Sequence, residues 1–120
     1  MTSRLLAAAA AACCLAVAAP AMAQDIGGTY RADGTNFDGS RYGGTAVITV
    51  TSKTTCNIAW DTGSIAKGIC MRNGDSFAAS YVMGDAIGLV IYDLQPDGSL
   101  EGLWTVAGQD GVGTEVLTPQ

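Results

Sequence analysis

The chain has 120 residues, six basic and eleven acidic side chains, a net charge of −5 and no histidine. That balance works against nucleic acid and anionic membrane surfaces as partners. Without histidine there is no Ser-His-Asp triad, Cys-His dyad or histidine-ligated zinc site.

The first element in chain order reads as a leader. Arg4 precedes an unbroken apolar run over 5–19, followed by Pro20, small residues at Ala21 and Ala23, and polar Gln24-Asp25. A positive start, an apolar stretch and an A-x-A site are the three parts of a secretory signal peptide. The run is shorter than the roughly 20 residues that cross a bilayer. Residues 1–23 are therefore expected to be cleaved between Ala23 and Gln24, leaving 24–120 as one β-barrel-like domain, periplasmic or secreted and free of the membrane. Cys13 and Cys14 lie inside the apolar run instead of at its end, which argues against lipid attachment. Arg4 leaves with the leader, so the mature domain is more acidic still.

No later stretch carries an apolar period of 3.6. Segments rich in Val, Ile, Thr, Tyr and Trp alternate with Gly, Asn-Gly and Asp-Gly punctuation, which predicts strands. Eight are expected, over 28–33, 41–51, 55–61, 65–72, 76–83, 86–94, 100–107 and 113–117. Their short connections force neighbours in sequence to pair antiparallel. The fold class is thus all-β, a single up-and-down meander. A closed or nearly closed small barrel is preferred because closure removes exposed edges, with a two-sheet sandwich as the alternative. Asn73-Gly74 is expected as a type I′ turn, with positive φ at both central residues. The sixth strand is apolar on both faces, Ile87, Leu89 and Ile91 against Ala86, Val90 and Tyr92, and so does not declare its inward side.

Cys56 and Cys70 are the cysteines left after cleavage, in a compartment where disulfides persist. A hairpin centred on Gly63 sets Cys56 opposite Cys70, Ile58 opposite Gly68 and Trp60 opposite Ala66. Bulky side chains then lie over small ones, and the pairing predicts a structural disulfide. Asp38-Gly39-Ser40 is echoed by Asp97-Gly98-Ser99, read as two hairpins with the same turn chemistry.

Chemistry has few carriers. Two carboxylates can run glycoside hydrolysis, but no spacing pairs Glu101 and Glu115 with each other or with Asp61 and Asp93, and all four are expected on the surface. The segment from Asp33 to Gly39 has the composition of a calcium loop. Its spacing puts Gly34 where the first ligand belongs and no glutamate at the twelfth position, so it is read as a turn. No phosphate-binding loop occurs, and no catalytic residue, cofactor or metal site is expected. The aromatics Tyr30, Phe37, Tyr42, Trp60, Phe77, Tyr81, Tyr92 and Trp104 could line a barrel that holds a small apolar molecule. A narrow barrel filled by its own side chains, with Trp60 and Trp104 in the core, is the preferred reading.

Gly28-Thr29-Tyr30, Asp38-Gly39-Ser40 with Tyr42 and Gly44, Asn57-Ile58-Ala59-Trp60, and Tyr92-Asp93-Leu94 before Asp97-Gly98 form a pattern. It continues through Leu100, Gly102 and Trp104 to Gly113-Thr114-Glu115 and Leu117-Thr118-Pro119. This pattern resembles small exported bacterial proteins labelled fibronectin-binding or fibronectin-binding-like. Its elements are turns and core aromatics, so the resemblance implies a shared fold and carries over no binding residue. The expected function is a non-enzymatic binding or interaction module with an unknown protein or small-molecule partner. A ligand carrier of the lipocalin or avidin kind is the second reading, and a carboxylate-only hydrolase the third.

Overall fold

The computed structural model describes residues 25–120, so the expected leader, with Cys13 and Cys14, lies outside the described residues. Eight strands follow one another: β1 (Gly28–Thr35), β2 (Arg41–Val50), β3 (Thr55–Asp61), β4 (Ile65–Asn73), β5 (Ser76–Met83), β6 (Ala86–Leu94), β7 (Leu100–Val106) and β8 (Gly113–Pro119). Each pairs antiparallel with the next, and β1 pairs with β8, so the meander closes into a barrel and not a sandwich. The terminal strands run past their expected ends, to Thr35 and Pro119. The closing ladder, from Tyr30 opposite Pro119 to Thr35 opposite Thr114, supplies the partners that hold those extra residues extended.

Side chains alternate in and out along every strand. Ile26, Tyr30, Phe77, Leu100 and Leu117 are buried together. They plug the end of the barrel that holds the start of β1, the end of β8 and the β2–β3, β4–β5 and β6–β7 connections. The Cys56–Cys70 disulfide belongs to this plug. The two residues face each other directly across β3 and β4, 4.9 Å apart at Cα, and both are buried. Ile58 opposite Gly68 and Trp60 opposite Ala66 complete the expected register.

Closure settles the two-faced sixth strand. Val90 and Tyr92 point inward, while Ile87, Leu89 and Ile91 face outward and are 55–59% exposed. An outward row of Met71, Ala78, Ile91 and Leu103 crosses four strands in direct register. The apolar excess of this region is thus spent on both surfaces of the wall.

One turn differs from expectation. Asn73 is the last residue of β4 and pairs with Ser76, so the central residues are Gly74 and Asp75. Gly74 has φ 59°, and among the described residues no non-glycine residue has positive φ. Positive φ at the first central position alone is the type II′ pattern, which needs glycine there and accepts an ordinary residue after it. This register sets small Ala79, and not Phe77, beside Cys70. The two Asp-Gly-Ser turns do share one construction. Asp38 Oδ1 accepts from Ser40 N at 2.9 Å and Ser40 Oγ at 2.6 Å, and Asp97 Oδ1 accepts from Ser99 at the same two distances.

Candidate functional site

The end of the barrel opposite the plug is open. A cavity of about 290 Å³ enters there, and Tyr42, Trp60, Tyr81, Trp104, Val90 and Glu115 are among its walls. Its space comes from pairing each ring with a small partner. Tyr42 lies directly across from Gly34, Tyr81 from Gly88, Trp104 from Gly113, and Trp60 from Ala66 on one side and Ala46 on the other. A ring opposite glycine can lie flat over the neighbouring strand instead of standing into the lumen. A Cβ at Gly88 would sit 1.9 Å from the Tyr81 ring, and one at Gly113 would sit 2.2 Å from the Trp104 ring. The preferred reading of a lumen filled by its own side chains is therefore corrected at this end. Trp60 is core as expected, but Trp104 is only half-buried and forms part of the mouth, stacked on Phe37 at 4.7 Å.

Glu115 is the second correction. It was expected at the surface and is 5% exposed inside the barrel. Its direct neighbours are Gly34 on β1 and Gly102 on β7. Beyond those glycines stand Tyr42 on β2 and Tyr92 on β6. One inward row thus reads Tyr42, Gly34, Glu115, Gly102, Tyr92. Each tyrosine leans over an empty position to reach the same carboxylate. Tyr42 OH donates to Oε1 at 3.0 Å, Tyr92 OH donates to Oε2, and the Trp60 indole N–H donates to Oε2 at 3.1 Å. Three donors on one carboxylate favour its ionised form, and burial disfavours it. Burial is the larger effect and pushes the Glu115 carboxyl above its ordinary value of 4.5. Burial, and then the Glu115 charge, also raise Tyr42, Tyr81 and Tyr92, which keeps these phenols protonated.

The other sequence candidates do not converge here. Glu101, Asp61 and Asp93 are exposed, and Glu101 sits across from Asp93 on the outer face. Tyr30 and Phe77 belong to the plug. The 33–39 segment forms the end of β1 and a hairpin turn in which the Asp38 carboxylate binds Ser40. Among the described residues, no group of three or more Cys, Asp or Glu side chains is placed to hold a metal ion. The signal for Glu115 was present in the sequence, because in β8 it occupies the same inward phase as Gly113 and Leu117. A carboxylate in the apolar phase of an alternating strand needs partners from elsewhere.

No family model matches the sequence, and no curated protein matches it. Among solved structures the chain is similar to a redesigned β-barrel at 20% identity and a TM-score of 0.69, over 79% of this chain and 91% of that one. It is similar to a redesigned β-barrel, mFAP1, bound to DFHBI, at 19% identity and a TM-score of 0.68, over 78% and 94% of the two chains. A de novo designed fluorescence-activating β-barrel matches at 20% identity and a TM-score of 0.66, over 82% and 96%. At these identities the likeness shows the fold: a small, closed, up-and-down eight-stranded barrel.

Proposed function

We propose that this chain is an exported, non-enzymatic barrel that binds a small molecule in its open end. The observation that carries the reading is the cavity itself. Its walls are mostly apolar and aromatic, with one carboxyl group at Glu115 and the polar side chains of Asn36, Thr62 and Ser64 among them, which is the make-up of a small-ligand site. A barrel with no ligand to hold would gain stability by filling this space, and glycines opposite the rings do the reverse. The likeness to a designed barrel bound to a small molecule supports the same reading. The cavity walls hold one carboxylate, so hydrolysis by a carboxylate pair finds no second group there. The disulfide and the leader-like start support export, and the fibronectin-binding resemblance remains a proposal about shared fold that carries over no binding residue.

Both tryptophans of the chain line the cavity, so intrinsic fluorescence reports its occupancy. A small-molecule library titrated against the mature protein should yield compounds that change this emission and raise the melting temperature. Ala66→Trp, which fills the cavity from β4, should abolish those responses while the protein stays folded. A library without such a compound, or compounds indifferent to Ala66→Trp, would overturn the reading.

A further inference from the structure

The charge distribution around the cavity says what kind of molecule it takes. Resting on the small-ligand reading above, we propose that the ligand is a small organic cation, an alkylated or quaternary ammonium, held between aromatic faces with Glu115 as its counter-charge.

Three observations converge on this. Tyr42, Trp60, Tyr81 and Trp104 line one cavity in two edge-on pairs, Trp60 with Tyr81 at 5.5 Å and Tyr42 with Trp104 at 6.2 Å between ring centres. Aromatic rings from several strands thus line one cavity, and quaternary ammonium groups are bound by aromatic cages. Next, Glu115 is the one ionisable acid or base on the walls other than tyrosine, and no lysine or arginine lines the cavity. Last, Glu115 receives three neutral donors and no cation. Neutral hydrogen bonds bring no positive charge to this buried carboxylate, and a bound cation would supply it. A quaternary ammonium has no N–H to donate, so the carboxylate attracts it by charge and not by a hydrogen bond. An anionic guest would meet the carboxylate without a basic group to offset it. A neutral guest would gain the apolar walls and leave the charge as it is.

The test uses three molecules of nearly equal shape: choline, 3,3-dimethylbutan-1-ol and 3,3-dimethylbutanoate. They present a cation, a neutral group and an anion to the same site. Titrated against the wild-type mature protein by calorimetry and tryptophan fluorescence, choline should bind at least about tenfold more tightly than the neutral isostere, and the anion should bind least. Tyr81→Leu, which removes a cage face outside the Glu115 hydrogen bonds, should weaken choline more than the alcohol. Glu115→Gln, if folded, should narrow the cation preference. Equal or tighter binding of the alcohol or the anion overturns the cation assignment, as does binding by none of the three when the library has yielded a ligand sensitive to Ala66→Trp. Absence of any such ligand overturns the small-ligand reading itself.

Discussion

Glu115→Ala tests whether the buried carboxylate organises the open end. The substitution deprives two buried donors of their acceptor, the Trp60 indole N–H and the Tyr92 hydroxyl, whose residues are 6% and 0% exposed. An orphaned buried donor costs about 1–3 kcal/mol, so the pair should cost about 2–6 kcal/mol. Tyr42 adds little, because its hydroxyl has the Thr114 carbonyl within 3.3 Å as a second acceptor. Relief of the buried charge works in the opposite direction and places the outcome toward the lower end. A loss of that size is a large share of the 5–15 kcal/mol available to a typical domain. Urea unfolding followed by tryptophan fluorescence should show a lower midpoint at an unchanged slope. Tyr92→Phe supplies the internal control. Once the phenol is gone, Glu115→Ala orphans one fewer donor, so the double variant should lose less than the two single variants would if added. Glu115→Ala as stable as wild type, or strict additivity with Tyr92→Phe, would refute the network as described.

The same residue predicts a pH dependence. Burial raises its folded-state value above 4.5, so in that window the folded chain keeps a proton that the unfolded chain has released, and stability falls as pH rises through it. Glu115→Gln should flatten that slope, and an unchanged slope would place its origin elsewhere. Asp38 and Asp97, held below their ordinary 3.8 by hydrogen bonds from Ser40 and Ser99, act at lower pH and with opposite sign. Replacing Cys56 and Cys70 together by alanine should cost roughly 3 kcal/mol by the chain-entropy argument for a loop of about 15 residues. Thiol titration of the unfolded, unreduced protein should find neither cysteine free. Gly34→Ala would set a Cβ 2.3 Å from the Thr114 carbonyl and 2.4 Å from the Tyr42 ring. Overpacking against backbone should cost about 1–3 kcal/mol by denaturation, with Tyr42 displaced from Glu115, and a variant of unaltered stability would refute the tight approach.

Much of the architecture was legible because hairpins are local. Thr62-Gly63-Ser64 fixes the β3–β4 register by itself, and with it the disulfide. Asp38-Gly39-Ser40 and Asp97-Gly98-Ser99 name their turn by side-chain chemistry. The β4–β5 turn was legible only as to place, since Asn73-Gly74 and Gly74-Asp75 are both plausible centres. The two choices keep every side chain on the same face and differ in which partner each meets. For β6, composition was silent because both faces are apolar, and the outer row through Ile91 is stabilised by nothing that the sequence makes visible.

Of the site only the inward phase of Glu115 was legible, because the rest depends on the pairing of β8 with β1. Glu115 and Gly34 are neighbours only after β8 closes on β1, and no local rule links residues so far apart. Before closure, Gly34 reads as part of a turn and Glu115 as a solvated acid. After closure the two glycines beside Glu115 become the gaps through which Tyr42 and Tyr92 reach it. The same substitution pattern explains why the cavity sits at this end. At the plugged end the inward phase holds Phe77, Leu100, Leu117 and the disulfide, which fill the lumen. At the open end it holds Gly34, Gly88 and Gly113, and the rings opposite them are drawn against the wall. A disulfide and dense packing stabilise one end of the barrel, leaving the other free to keep a space, aromatic walls and one buried carboxyl group.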